Sequence, residues 1–203
     1  GVMKSILALL LVSACGVAAG QEAPSVMLQV KRISSATEVR QNWRNRWGAS
    51  DKDFSRTIGI DITLRNMRSA AAQVSLDILF VAKLSAGTNL WVFDRQIEDL
   101  ALDSAKPYTA VKLSKPLESN VRNFAWQGFK DERGGRVEGY IVRVLVATNI
   151  VKVSASSHAL EQLGGDEEAL SALIQASREI EARDERPPNR PMRPPPQRWR
   201  VQP

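Results

Sequence analysis

This sequence is poor in the residues that most exported domains and most enzymes lean on. It has one cysteine, Cys15, in 203 residues, so no intramolecular disulfide can form and the fold must be held by its core. It has one histidine, His158, which excludes metal centres built on two or more histidines. The context Ser156-Ser157-His158 offers no acid to orient a nucleophile–base pair. No apolar run approaches the roughly 20 residues of a transmembrane helix; the leading one, Ile6 to Val12, is far shorter. A basic stripe on the domain, the footprint of nucleic-acid binding, is also missing. The net charge is +6, but Arg183 to Pro203 alone holds six arginines against Asp184 and Glu185. Without that segment and Lys4, the rest of the chain is 21 basic against 20 acidic residues, close to neutral.

What is present begins with a leader. Lys4, the apolar run Ile6 to Val12 and small residues through Gly20 have the order of a secretory signal peptide. Two cuts fit. Val12-Ser13-Ala14-Cys15 resembles a bacterial lipobox, in which Cys15 is lipidated. Ala18-Ala19-Gly20 resembles an ordinary signal-peptidase site just before Gln21. The second leaves a longer leader and is preferred. Either way no free thiol remains in the mature fold, so thiol catalysis is excluded.

The body reads as strands. Val26, Leu28 and Val30 alternate with polar residues, and Ile58, Ile60, Ile62 and Leu64 do so without a break. Further candidate strands are Val74–Ala82, Asn89–Asp94, Ile97–Leu102, Tyr108–Leu113, Asn120–Phe129, Gly139–Val146 and Ile150–Ser154. Between the first two lies a long polar stretch, Ser34 to Ser55. With short strands at roughly ten-residue spacing and no helices between them, the expectation is an all-β fold: an antiparallel immunoglobulin-like β-sandwich. A C-terminal α-helix follows. Ser157 to Leu163 opens it, Gly164-Gly165 interrupts it, and Asp166 caps its main part. The narrow stripe Leu170, Leu173, Ile174 and Ser177 predicts a helix at the sandwich edge or projecting from it. Seven of the ten prolines lie beyond Arg186, so the end reads as a disordered Pro/Arg-rich tail. The division is a signal peptide (1–20), a β-sandwich (21–156), a helical segment (157–183) and a tail (184–203).

Candidate functional residues are few. Trp43, Arg44, Arg46 and Trp47 interleave aromatics with cations in Gln41–Phe54, a pattern suited either to a contact tip or to an edge strand or loop capping the core. Arg198, Trp199 and Arg200 in the tail could engage a protein groove or an anionic surface. Asp51 and Asp53 are two acids without the further ligands that calcium needs. Asp94, Glu98, Asp99 and Asp103 raise a paired-carboxylate hydrolase, but read better as outward positions and turns. No catalytic residue, metal site or cofactor is expected.

Three stretches, WGASDKDFSRTIGIDITLRNM, LWVFDRQIEDLAL and GYIVRVLVATNIVKVSASSHALEQL, resemble small exported β-sandwich proteins of Verrucomicrobia-type bacteria associated with type IV pilus genes. The resemblance spans Val26 to Ile174. It implies an immunoglobulin-like fold likened to archaeal pilin heads, and a surface role rather than chemistry. The leader departs from a pilin assembly helix, which argues against self-polymerisation through such a helix. The expected function is that of a non-enzymatic exported envelope protein binding a protein partner, with pilus components as candidates. The alternatives are a Cys15-lipidated tether of the same fold and a carbohydrate-binding or hydrolytic module.

Overall fold

The computed structural model describes residues 25–44, 49–84, 89–124 and 129–184. Residues 1–24, with Cys15, and residues 185–203 lie outside these. Eight strands come first: β1 (Val26–Arg44), β2 (Ala49–Asn66), β3 (Ala72–Leu84), β4 (Leu90–Leu102), β5 (Tyr108–Leu113), β6 (Leu117–Phe124), β7 (Phe129–Val146) and β8 (Asn149–Ala155). Two helices follow, α1 (His158–Gly165) and α2 (Glu167–Asp184).

The strands make two antiparallel layers. In the first, β2 pairs with β1 on one side and with β5 and then β6 on the other. In the second the order is β4-β3-β7-β8. The predicted period-two faces meet between the layers. Ile58, Ile60, Ile62 and Leu64 of β2 pack against Leu76, Ile78 and Phe80 of β3 and Val142 and Val144 of β7, all fully buried. This order is that of an immunoglobulin-like sandwich whose fourth strand has joined the third.

A third layer covers the back of the second sheet. Leu79 and Val81 of β3 and Ile141 of β7 point away from the first core and meet Leu160 of α1 and Leu170 of α2. The helices therefore lie flat on a sheet, not at an edge. The same cluster takes in Val92 of β4 and Val153 of β8, so the helices cover all four strands of this sheet. Ser157 caps α1, its hydroxyl accepting from the Leu160 N–H. Asp166 joins the helices: its N–H donates to Gln162 and Leu163, and its carboxylate accepts from Ala169.

Other boundaries differ from expectation. β4 runs unbroken through both predicted pieces; its register irregularity lies at Phe93, between Asp94 opposite Phe80 and Val92 opposite Val81. Phe129 starts β7 rather than ending β6. The polar stretch Ser34 to Ser55 is largely strand, with β1 and β2 paired from Val26–Asn66 out to Arg44–Ser50. Alternation of apolar residues cannot mark a strand that has no core to face.

Gly164 and Gly165 separate packing from propensity. A methyl on Gly164 would lie 2.6 Å from Ile141 Cγ2 and 2.9 Å from Val153 Cγ1, both stiff β-branched groups. One on Gly165 would meet nothing within 4 Å. Gly165→Ala should raise the thermal midpoint, by the ~0.5–1 kcal/mol that alanine gains in a helix. Gly164→Ala should lower it, since overpacking costs about 1–3 kcal/mol. Equal midpoint shifts in the two variants would contradict this packing of α1.

Candidate functional site

Beyond the sandwich the sheet continues as a four-stranded extension. Ser34–Arg44 of β1, the first half of β2, all of β6 and the start of β7 lie in the order β1-β2-β6-β7. Register sorts their side chains. Arg40, Asp53, Asn120 and Arg133 form one cross-strand row, in which Asn120 Nδ2 donates to Asp53 Oδ1 at 2.7 Å. Val39, Phe54, Ser119 and Gly134 form a row on the other face. There the Arg56 guanidinium sits 5.1 Å from the Phe54 ring centre, a cation–π contact.

Gly134 takes φ +94°, a conformation that favours glycine, and a Cβ there would lie 2.6 Å from the Glu118 carbonyl. At this point β7 leaves β6 and joins β3. Two buried polar atoms, Trp91 Nε1 and Ser119 Oγ, have no hydrogen-bond partner. Both adjoin this passage: Ser119 packs on Gly134 and the Trp91 indole on Gly135.

The outer edge of β1 pairs with no described strand. Its register with β2 slips at Arg32/Ser34 and again at Asn42/Arg44, leaving an uninterrupted run from Ser34 to Asn42. Ile33 and Val39 on this strand are about half exposed.

Of the residues singled out in the sequence, Trp43 lies in the second irregularity of β1 and Arg44 opposite Ser50. The Trp43–Arg44 backbone thus stands at the far end of the extension. Arg46, Trp47, Arg198, Trp199, Arg200 and Cys15 lie outside the described residues.

The acidic residues are each engaged separately. Asp94 accepts from Gln96 and from the Lys115 backbone N–H, tying β4 to the β5–β6 link. Glu98 accepts from Lys112 and Tyr108. Asp99 accepts from Ser75, and Asp103 caps the turn at Ala105. No two of them share a site of the paired-carboxylate kind. Among the described residues no group of three or more His, Cys, Asp or Glu is placed to hold a metal ion. His158 opens α1 with its ring exposed, 3.8 Å from Glu161.

One cluster has no counterpart among the sequence candidates. Asp77 on β3 takes Nε and Nη2 of Arg95 (2.8 and 3.0 Å) and Nε and Nη2 of Arg143 (3.1 and 2.6 Å). The Arg143 Nη1 donates to Glu167 at the start of α2, at 2.7 Å. Asp77 and Arg143 are both buried. The sequence carried a signal: opposite charges stand inside two otherwise apolar runs, SLDILF and YIVRVLV.

Glu98 provides a check that these acids are structural. Its hydrogen bond from Lys112 holds its carboxyl below the usual glutamate value. A lowered folded pKa gives stability that is present above the unfolded value, about 4.3, and is lost as pH falls through the folded one. Glu98→Gln should thus be less stable than the parent near neutrality, by at most about 1 kcal/mol for so exposed a pair. The gap should close in acid. Urea unfolding on both sides of the glutamate range measures it, and a gap that widens in acid would contradict the assignment.

No protein-family profile matches the chain, and no curated protein matches it. Among solved structures, a Bacteroides fragilis chain described as a β-galactosidase aligns at 10% identity and TM-score 0.29, over 59% of this chain and 15% of its own. A calcium-binding mutant of Bacteroides uniformis β-glucuronidase 2 aligns at 10% identity and TM-score 0.25, over 52% of this chain and 13% of its own. A chain from Akkermansia muciniphila aligns at 11% identity and TM-score 0.23, over 66% of this chain and 72% of its own. This protein thus corresponds to a small fraction of the length of the two glycosidases. All three TM-scores are too low to carry an argument.

Proposed function

We propose that this protein is a non-enzymatic, exported cell-envelope binding protein, an accessory of a type IV pilus-like assembly that grips a partner chain along the outer edge of β1. The observation that carries the reading is the free run from Ser34 to Asn42. It offers a row of backbone N–H and C=O groups to an extended partner segment, the strand-addition mode of recognition. Free edges are also an aggregation hazard. Here bulges close the run at both ends and Glu38 and Arg40 lie within it, so an indiscriminate strand meets a charge mismatch. The leader supports export, and Cys15 would add a lipid anchor if the cut falls before it.

In an edge strand successive N–H groups point alternately to the neighbouring strand and to solvent. One of Glu38→Pro and Val39→Pro therefore removes an outward N–H and leaves the β1–β2 ladder intact. That variant should keep the parent's thermal midpoint and lose partner capture. The assay is affinity capture from envelope extracts of the native host, with and without residues 186–203, and identification of the recovered chains by mass spectrometry. Recovery of a pilus component by the parent and its loss in the proline variant is the expected result. Recovery of no pilus component, or undiminished capture by the variant that keeps its midpoint, would overturn the reading.

A further inference from the structure

The Asp77 cluster opens onto a cleft that the strand-edge reading does not use. The cleft lies between α2 and the second sheet, has a volume of about 490 Å³, and is walled by Arg95, Arg143, Glu167, Ser171, Gln175 and Arg178 among others. That volume falls in the range of small-ligand sites. Its electrostatics are unbalanced. Three guanidiniums face two carboxylates, and the two carboxylates differ in kind. Asp77 is buried and saturated by Arg95 and Arg143. Glu167 is 63% exposed and reaches in from the first turn of α2.

The donors are also incompletely used. Arg95, which lines the cleft, spends Nε and Nη2 on Asp77 and leaves Nη1 out of that pair. Arg178 makes no ion pair with a described residue, and Ser171 and Gln175 add neutral donors. The Arg143 guanidinium is 3% exposed, and its one contact with Glu167 is what a ligand oxygen would replace. If Glu167 turns to solvent, three guanidiniums face Asp77 alone and the cleft carries two surplus positive charges. Guanidinium forks bind oxyanions through paired, charge-assisted hydrogen bonds.

We propose that this cleft binds a small dianionic oxyanion between Arg95 and Arg178 with Arg143 behind it, and that the Glu167 carboxylate is an internal occupant which the ligand displaces. The exchange is non-covalent. Glu167 gains solvent, the ligand gains Arg143 Nη1, and Asp77 keeps its two partners throughout. Asp77 thus holds the guanidiniums in place, and Glu167 sets the affinity.

The test uses the full chain and follows the arginine Nε–Hε resonances by NMR during titration with inorganic phosphate and, separately, succinate. Saturable shifts at Arg95 and Arg178 are expected with at least one probe. Phosphate alone indicates a phosphate or phosphate ester, and succinate alone a dicarboxylate. Glu167→Gln, which weakens the internal competitor, should bind several-fold more tightly. Arg178→Ala should bind at least about tenfold more weakly, the loss of one charge-assisted contact, with an unchanged thermal midpoint because the residue is exposed. Absence of saturable shifts with both probes, shifts confined to the arginines of residues 186–203, or unaltered affinity in Arg178→Ala would each overturn the proposal. The capture experiment on β1 is independent of these outcomes.

Discussion

The second sheet is covered on both faces, and most of the architecture follows from that constraint. β3 is one of its two inner strands, and its residues from Leu76 to Ala82 are buried without a break. One set of alternate side chains fills the sandwich, and the other needs a lid. α1 and α2 are that lid, pinned by the close seat of Gly164 on Ile141 and Val153. A charge on the lidded face cannot remain unpaired, because removing an isolated carboxylate from water costs far more than a single contact returns. Asp77 is accordingly met by two guanidiniums, and their excess charge is passed outward to Glu167 at the lid's edge. The cleft beside α2 is the place where this compensation reaches solvent.

β7 imposes the other constraint, since it belongs to both layers. Its first residues pair with β6 and its later ones with β3 and β8. The change of partner falls at Gly134–Gly135, where backbone atoms leave no room for a Cβ on Gly134 and the Trp91 ring and Leu117 crowd one on Gly135. The same passage leaves Trp91 Nε1 and Ser119 Oγ without partners, a local cost of joining the extension to the sandwich. β5 and β6 are related in a similar way. They lie end to end along β2, interrupted at Ser114, whose hydroxyl accepts the Ile58 N–H and keeps the ladder satisfied across the gap.

The sandwich was legible because its strands separate inside from outside. Ile58 to Leu64 declared the register of β2, and the Asp166 cap after Gly164-Gly165 marked the start of α2. The extension was not legible as strand, because Ser34–Arg44 and Ala49–Ser55 have no core face and are stabilised by rows such as Arg40–Asp53–Asn120–Arg133 that exist only after pairing. The seat of the helices was missed because a stripe of Leu170, Leu173 and Ile174 is consistent with several docking places. Asp77 and Arg143 each stand as a single charge inside a strand pattern. Their pairing across β3 and β7 depends on which strands become neighbours, and sequence periodicity does not say. The backbone of Trp43 and Arg44 lies on the extension, a position that the local pattern of aromatics and cations does not reveal.

The course of β7 also has a mechanical meaning. Ser34 to Arg44 alone spans about 35 Å at the usual rise of a strand, so any force applied at its end would act on the sandwich through a long arm. A pull along that arm runs parallel to the strands, while the hydrogen bonds of the ladders lie across them. The bonds between β7 and its neighbours are then loaded together in shear rather than opened one after another. Under such loading the ladders carry the tension with no disulfide beside them among the described residues.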